Sequence, residues 1–478
     1  MASLKGNIIL NLINTLTSLL VPIVTFPYAA RILLPEGIGI INFQQSIINY
    51  IVLFTSIGIP LYGVREIARC RDDIRQRNLA AIEIIILNIT LSLAGYIAVF
   101  VLGKYVPRIS QNLSVFYILS ASIIFTALGV EWFYKAIEDF KFITIRAVIF
   151  RLLAAIGLFV FVKTKDDILA YSFVIVASSV GNNVANFLHL RKYIFFNIDF
   201  DDLNIKKHVR PALTIFMLNV IISLYTQLNI IMLGFMGNNE MVGYYSAGNK
   251  LSHIVLTAIA SISTVMLPRF SNLYCAGNIE EIKRLSQKSY NFIVAFALPM
   301  VFALIILAKP ITHIFCGDAY DSAINVLIFT SPIICLIAIS NLIGIQILYP
   351  QGKENLVIYS TMGGAIVNVI FNLILIPFYQ ENGAAISTCV AELIVLTIQI
   401  FVGRKLIQIS FISKQIVGYL IASVAMTVLI ILLSMAIENE LLLLLMSILL
   451  GGGIYGVFLF AIKDEVALSL LSLLGINK

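Results

Sequence analysis

The sequence predicts an all-α polytopic membrane protein with about 14 transmembrane helices. The first observation behind this prediction is composition: 60% of the 478 residues are apolar, 12% are charged, and the mean hydropathy is +0.98. A soluble domain averages about 25% charged residues. The second observation is that apolar runs of about 18 residues or more recur along the whole chain. The third is that Lys and Arg cluster in alternate connections between these runs.

Breaks that are charged or rich in Pro, Gly and Asn separate the apolar runs and set their boundaries. Residues 6–30, 212–239 and 355–380 contain no charged residue at all. The first run lacks a small-residue cleavage site, so we expect an uncleaved first helix. The predicted spans cover residues 8–31, 38–63, 79–102, 113–134, 143–162, 168–189, 212–236, 243–267, 290–308, 322–348, 356–377, 384–403, 416–436 and 441–461.

The distribution of basic residues predicts the orientation of the chain. With the N-terminus in the cytoplasm, about 24 of the 32 Lys and Arg residues fall on the cytoplasmic side and about six on the outer side. Both termini are therefore expected in the cytoplasm, and the net charge of +7 reflects this bias rather than binding to nucleic acid. The five cysteines are scattered without paired spacing, which predicts free thiols and no metal site.

The longest charged connection, residues 191–211, predicts a cytoplasmic linker between two lobes. We expect a short helix after Asp202, and Pro211 is expected to open the seventh span. Shifting the sequence by about 204 residues superposes Gly39 on Gly243 and Arg65 on Arg269, which indicates a parallel pseudo-repeat. The predicted organisation is an N-terminal lobe of six helices in 1–190, the linker 191–211, a second six-helix lobe in 212–405, and two further helices with a cytoplasmic C-terminus in 406–478.

Lys250 lies well inside the eighth predicted span. A lysine at such depth costs at least roughly 2.5–3.5 kcal/mol unless it faces a polar interior. The alternative is that Lys250 snorkels to the outer surface, but that surface is about 12 Å away along the helix, further than a lysine stem reaches. Its neighbours at helical spacing share one side of the helix and are predicted to line a cavity with it: Ser246, His253 and Thr257.

Comparable polar stripes occur on the helices that lead each half of the chain. Hydrogen bonds between helices are the alternative reading of any single Asn or Ser. Stripes on four related helices favour a shared aqueous cavity between the lobes. The residues predicted to line it are Asn7, Asn11 and Asn14 on the first span, Asn42, Gln45 and Asn49 on the second, and Asn219, Ser223 and Gln227 on the seventh.

Charged residues near the spans predict the sign of the cavity. Arg151 and Arg31 join Lys250 as candidate anion contacts, although Arg151 has a carboxylate partner as its alternative and Arg31 an interfacial position. Glu83 and Glu392 are candidates for ion or proton coupling, or alternatively partners for a buried base. A cavity with bases and no acid on its leading helices attracts phosphate or diphosphate and repels organic cations.

No enzyme motif is present, and residues 269–288 predict a short amphipathic helix on the inner membrane surface.

Three local patterns carry a resemblance to a known family. They are LLPEGIGIINFQQSI at 33–47, EWFYKAIEDFKFITIR at 131–146 and FNLILIPFYQENGAAISTCVAE at 371–392. In this order, together with the length and the helix count, they resemble the bacterial polysaccharide transporters. These are the flippases for O-antigen and other lipid-linked oligosaccharides, within the multidrug/oligosaccharidyl-lipid/polysaccharide superfamily.

The resemblance implies two lobes around a central cleft that opens alternately to each side of the bacterial inner membrane. It implies that the cargo is an undecaprenyl-diphosphate-linked oligosaccharide, carried to the outer leaflet for O-antigen, capsule or exopolysaccharide assembly. Membrane lipids, a polysaccharide polymerase and chain-length proteins are the implied partners, with no cofactor and no nucleic acid. Arg31, Arg151 and Lys250 are the expected diphosphate contacts, on burial and sign. The alternatives are a cation-coupled multidrug extruder, a lipid II-type precursor flippase and, from another class, a membrane glycosyltransferase or polymerase.

Overall fold

A computed structural model describes the backbone of residues 4–195, 203–404, 406–407, 409–464, 466 and 468. The side chains of residues 4–9, 11–12, 19, 218–219, 221–225, 260–265 and 268 lie outside this description. The predicted cavity residues Asn7, Asn11, Asn219 and Ser223 are among them. The short helix expected after Asp202 does not form as a separate element of the described residues: the chain is helical from Lys206, at the start of the long helix 206–236. Within the described ranges every regular element is a helix.

The chain divides into two compact units, Met1–Gly243 and Tyr244–Lys478. The helix that carries residues 212–236 belongs to the first of them, and the lobe boundaries expected from the sequence stay a prediction. The described helices of the first unit are α1 Leu4–Ser56, α2 Ile59–Arg69, α3 Ile74–Tyr105, α4 Pro107–Ser110, α5 Leu113–Leu128, α6 Glu131–Ala136, α7 Phe140–Phe161, α8 Ile168–Leu190 and α9 Lys206–Met236.

Helix α10, Asn239–Cys275, starts in the first unit and continues into the second. Short π-helical turns, Leu342–Leu348 and Ser447–Gly451, interrupt the helical runs of the second unit. Its further helices are α11 Ile279–Ile306, α12 Ala308–Cys316, α13 Asp321–Thr330, α14 Ile333–Asn341, α15 Glu354–Gly403, α16 Lys414–Ala436, α17 Glu440–Met446 and α18 Gly452–Ala461.

Two predicted spans form a single kinked helix in α1. The kink is at Leu34, with φ 59° and ψ 174°, because the following Pro35 disfavours a helical conformation at the residue before it. The second span was expected to continue to residue 63, and this boundary is wrong. It ends at Ser56, where Ile57 and Gly58 take positive φ angles of 35° and 70°.

Gly58 is needed at that break for two reasons. Its left-handed backbone favours glycine, and a Cβ there would lie 2.7 Å from the backbone nitrogen of Phe216 and 2.8 Å from the carbonyl oxygen of Ala212. The first turn of α2 then begins with a proline, which suits a position whose N–H has no helical partner. The glycine therefore lets α9 approach the α1–α2 turn closely.

Three further expectations about helix boundaries are corrected by the structure. Pro211 does not open the seventh span but lies inside α9, which starts at Lys206. Residues 269–288 do not form a separate surface helix: α10 runs to Cys275, and α11 begins at Ile279 after a tight turn. The amphipathic pattern there belongs to the ends of two long helices. The eleventh and twelfth predicted spans are joined in α15 through a kink at Gln380, with φ 54°.

Ten stretches of the described chain are long and apolar enough to cross a membrane. Two of them, 13–69 and 354–403, each contain two predicted spans joined by the kinks described above. Predicted spans seven and eight lie on α9 and α10. The predicted spans are therefore largely helical, although breaks at Gly129–Val130 and Ser331–Pro332 divide the fourth and the tenth.

Candidate transport site

Side chains of α1, α2, α5 and α9 form a groove of about 480 Å³ in the first unit. Most of its surface is apolar, and we call it the polar groove after the amide and hydroxyl groups that it contains. Asn49 and Ser56 contribute from α1, and Thr226 and Gln227 from α9. Asn49 and Gln227 were both predicted to line a cavity, and the fold brings them to the same groove. Apolar residues such as Phe216 complete its wall. The groove thus combines amide and hydroxyl groups with apolar surface and contains no charged side chain.

Hydrogen bonds order the polar side chains of this region. The Gln45 amide Nε2 donates to the Asn49 Oδ1 at 2.9 Å. The Ser46 hydroxyl lies 2.9 Å from Gln227 Oε1 and 2.7 Å from the Asn42 carbonyl oxygen, and donates to one of them at a time. Asn49 is exposed and Gln227 is half-buried. The predicted stripe on the second span is therefore partly a set of helix contacts and partly a groove wall.

An apolar groove of about 560 Å³ lies on the other side of Tyr50. It is formed by α1, α3 and α9, and Tyr50 lines both this groove and the polar one. Its other lining residues include Ile51, Phe54, Leu91, Ala98, Ile231 and Phe235. The two grooves share Tyr50 and are both mostly apolar, and amide side chains line only the first of them.

Arg151 meets the polar stripe of the first span. Its guanidinium Nη1 lies 2.8 Å from Asn14 Oδ1, 3.0 Å from the Asn14 carbonyl oxygen and 3.0 Å from Thr17 Oγ1. Arg151 is half-buried and borders a cavity of about 210 Å³, which Ser18 and Tyr171 also line. Asn14 thus makes the contact between helices that the sequence left as an alternative, while the base still faces a small cavity.

Lys250 lies half-buried on α10 in the second unit. One turn earlier, Ser246 is 8% exposed, and its hydroxyl has no hydrogen-bond partner among the described residues. His253 is exposed, and its carbonyl oxygen accepts a hydrogen bond from the Thr257 hydroxyl at 2.7 Å. The described part of the Lys250 stripe therefore runs from a buried to an exposed position along α10.

The remaining predicted charges have separate environments. Arg31 is exposed on α1, three residues before the Leu34 kink, and shares the first unit with Arg151. Lys250 belongs to the second unit. Glu392 is 8% exposed on α15. The structure thus distributes the three candidate anion contacts over two units, and their joint action stays a prediction.

Glu83 lies at the centre of a network that sequence reasoning missed. The side chain is fully buried, and its carboxylate lies 2.7 Å from both Lys207 Nζ and His208 Nε2. The backbone N–H of Asn204 donates to Oε1 at 2.6 Å. His208 Nδ1 lies 2.5 Å from the Tyr62 hydroxyl, and both of these side chains are buried. Glu83 is therefore the partner of the buried His208 and the exposed Lys207. The only sequence signal was a histidine and lysine pair at the start of α9.

Comparisons with known proteins place the chain among membrane transporters. Residues 3–274 match the family described as "Polysaccharide biosynthesis protein", and residues 214–374 match the MatE family. The chain is 24% identical over 407 residues to the "Putative O-antigen transporter" of Escherichia coli (strain K12). That alignment covers 84% of this chain and 97% of the relative.

Two solved structures share the fold. A lipid II flippase, MurJ, in an inward closed conformation superposes with a TM-score of 0.72 at 18% identity, over 96% of this chain and all of its own. An inward-facing multidrug resistance MATE family transporter of the MOP superfamily gives 0.66 at 13% identity, over 84% and 97% of the two chains. These similarities confirm the predicted fold class, an all-α, two-lobed protein of about 14 helices. The relatives are transporters and flippases rather than enzymes, as the absence of catalytic motifs predicts.

Proposed function

The chain belongs to the polysaccharide biosynthesis protein family, and on that premise we propose that it is a lipid-linked oligosaccharide flippase. It is a membrane transporter of the MOP superfamily. In this proposal it carries undecaprenyl-diphosphate-linked repeat units from the cytoplasmic to the outer leaflet by alternating access. The product serves O-antigen, capsule or exopolysaccharide assembly in the bacterial inner membrane.

The pair of grooves that share Tyr50 is the observation that carries this proposal. A lipid-linked oligosaccharide has a head rich in hydroxyl groups and a long hydrocarbon tail. The amide and hydroxyl groups of Asn49, Thr226 and Gln227 supply donors and acceptors for sugar hydroxyls without a net charge. The apolar groove provides a surface for the tail beside that head site. A soluble sugar would use only the first groove.

The diphosphate requires cationic contacts between head and tail, and Arg151, Lys250 and Arg31 are proposed to supply them. Arginine binds phosphate oxygens through a planar fork of N–H donors. In the described structure the Arg151 Nη1 is held by Asn14 and Thr17. A diphosphate would displace these neutral acceptors, because its negative charge makes its hydrogen bonds to the guanidinium stronger. Release of Asn14 would then loosen the contact between α1 and α7, which links cargo binding to helix movement.

The proposal is tested by measuring glycan export in cells from which the chromosomal gene for this protein has been deleted. Such cells should accumulate lipid-linked repeat units in the inner leaflet, and the wild-type chain should restore export. We expect Lys250→Ala to abolish this restoration at normal protein abundance. Asn49→Leu with Gln227→Leu should reduce it about tenfold, since two lost hydrogen bonds together cost about 1.4 kcal/mol. Lys353→Gln, an exposed residue outside the grooves, is the matched control.

Other outcomes point to the alternatives. Drug hypersensitivity without accumulation of repeat units would contradict the proposal and favour a multidrug extruder. Accumulation of a lipid-linked peptidoglycan precursor instead of oligosaccharide repeats would favour a lipid II-type flippase. Wild-type export by Lys250→Ala would remove that lysine from the proposed diphosphate site.

A further inference from the structure

A further cavity, of about 890 Å³, opens in the second unit where the end of α10 and the start of α11 meet the start of α16. We infer that it binds the phosphate headgroup of an anionic membrane phospholipid. The site lies outside both grooves of the first unit. The side chains on which the inference rests are Arg269, Lys283, Arg284, Lys288, Gln287 and Ser413.

The charges around the cavity leave two ammonium groups for a ligand. Four bases line it against two acids, Glu280 and Glu281, which gives a balance of 4 − 2 = +2. Glu281 Oε1 is occupied by Arg284 at 2.8 Å and by Arg269 at 3.6 Å. Among the described residues neither Lys283 nor Lys288 forms an ion pair, and both are exposed. An anion entering the cavity therefore meets two lysines outside the described ion pairs, and the lining keeps a positive balance with Glu280 included.

The start of α16 adds a second attraction for an anion. Helix α16 begins at Lys414, and the Ser413 hydroxyl caps it by accepting a hydrogen bond from the Ile416 N–H at 3.4 Å. The free N–H groups and the dipole of a helix N-terminus favour negative charge. Gln415 in this first turn also lines the cavity. The helix start and the lysines thus act on the same space.

The wall between α11 and α16 is held in place by a paired amide contact. Gln287 Oε1 accepts a hydrogen bond from the Ser410 N–H at 2.8 Å, and its Nε2 donates to the Ser410 carbonyl oxygen at 3.2 Å. Nε2 also donates to Asn291 Oδ1 at 2.9 Å. This double contact fixes the segment before α16 against α11. The cavity is therefore a built feature of the hairpin and not a gap beside a loose chain.

Exposed apolar side chains beside the bases point to a lipid rather than a soluble anion. Ile412 is 88% exposed in the segment before α16, and Ile279 is 62% exposed at the start of α11. Both α11 and α16 are among the stretches able to cross a membrane, so these helix ends lie at the bilayer surface. Basic groups next to exposed apolar residues at that depth are typical of sites for anionic headgroups. A volume near 890 Å³ holds a phosphodiester with its glycerol moiety.

Binding of phosphatidylglycerol by the purified full-length protein tests the inference. Vesicles of phosphatidylglycerol should raise the Tm and bind, whereas vesicles of phosphatidylcholine should not. Lys283→Gln with Lys288→Gln should weaken phosphatidylglycerol binding about 30-fold, the loss expected for two lysines near an anionic surface. Lys192→Gln with Lys353→Gln removes the same charge from exposed positions outside the cavity and should leave binding unchanged. Ile412→Asn should weaken vesicle binding as well.

The other arms of the experiment can overturn the inference. Inorganic phosphate that raises the Tm as much as the lipid, and competes with it, would identify a free phosphate site instead. Equal binding of the two lipids, or wild-type binding by the variant at 283 and 288, would show that the cavity is not a headgroup site. The binding and Tm measurements do not depend on glycan export, so failure of this inference would not contradict the proposed flippase activity.

Discussion

Glu83 shows how one buried acid can organise several helices. Its carboxylate accepts from Lys207, His208 and the Asn204 backbone, and His208 in turn contacts Tyr62. A neutral His208 can donate from Nε2 to Glu83 while Nδ1 accepts from the Tyr62 hydroxyl. Every polar group in this chain of contacts then has a partner. The network ties the start of α9 to α2 and α3 within the first unit.

Removal of the Glu83 carboxylate should destabilise the protein strongly. Glu83→Ala leaves buried His208 and half-exposed Lys207 without their acceptor. We expect a loss of about 3 kcal/mol in unfolding free energy, near the lower end for a broken buried pair because water screens Lys207. The Tm and the abundance of the purified Glu83→Ala variant measure this loss. The Tm of Glu83→Gln should lie between the values of Glu83→Ala and the wild type. Glu36→Ala, at an exposed position, is the control; equal Tm values for the two alanine variants would contradict the prediction.

Helices of the second unit are joined by a histidine placed between carboxylates. On α12, the His313 Nε2 lies 2.7 Å from Asp321 Oδ1, and the His313 Nδ1 lies 2.9 Å from Glu440 Oε1. Asp318 is 3.7 Å from Nδ1. Burial alone would lower the pKa of His313, but the hydrogen bonds to Asp321 and Glu440 outweigh it and raise the pKa above its ordinary value of 6.5. The contact fastens the start of α17 to α12 and α13.

This contact should make stability depend on pH in a defined direction. Because the folded pKa of His313 is raised, its contribution is fully present below about pH 6.5 and is lost as the pH rises through the folded pKa. The Tm difference between wild type and His313→Gln should therefore be largest near pH 5.5 and shrink toward pH 9. Thermal unfolding across this range measures it, and Lys309→Gln, at an exposed position of α12, is the control. A constant difference between the His313→Gln and wild-type curves would argue against the contact.

The whole chain combines long apolar helices with basic residues that are predicted to lie on one side of the membrane. Ten described stretches can cross a membrane, and kinks at Leu34 and Gln380 divide two of them. The orientation itself follows from the charge distribution alone and stays a prediction.

Cysteine labelling in intact cells checks this orientation. In a background with its native cysteines replaced, Lys104→Cys and Lys165→Cys should react with a membrane-impermeant maleimide, because both sites are predicted to face outward. Arg75→Cys and Lys353→Cys should react only after the cells are opened. All four positions are exposed in the structure, so access does not depend on burial. Labelling of position 353 in intact cells would contradict the predicted orientation.

The site residues expected from the sequence stay a prediction, and the pairings of their side chains were not expected at all. Asn49 and Gln227 were predicted to line a cavity, and they meet in the polar groove. Asn14 was assigned to the same cavity, yet the structure places it against Arg151. Tyr62, Lys207 and His208 were not singled out, although they surround Glu83. A stripe shows that one face of a helix is polar, and it does not show which helix lies opposite.

The sequence by itself determined that this is a helical membrane protein and where most of its apolar helices lie. Transfer of an apolar segment into a bilayer depends on the residues of that segment, so a local window predicts it. The bend at Leu34 likewise has a local cause in the following Pro35. Tertiary structure alone decided that Gln380 bends its helix, that residues 269–288 form a hairpin, and which polar groups become partners. Those outcomes depend on contacts between helices distant in sequence, and no local pattern carries that information.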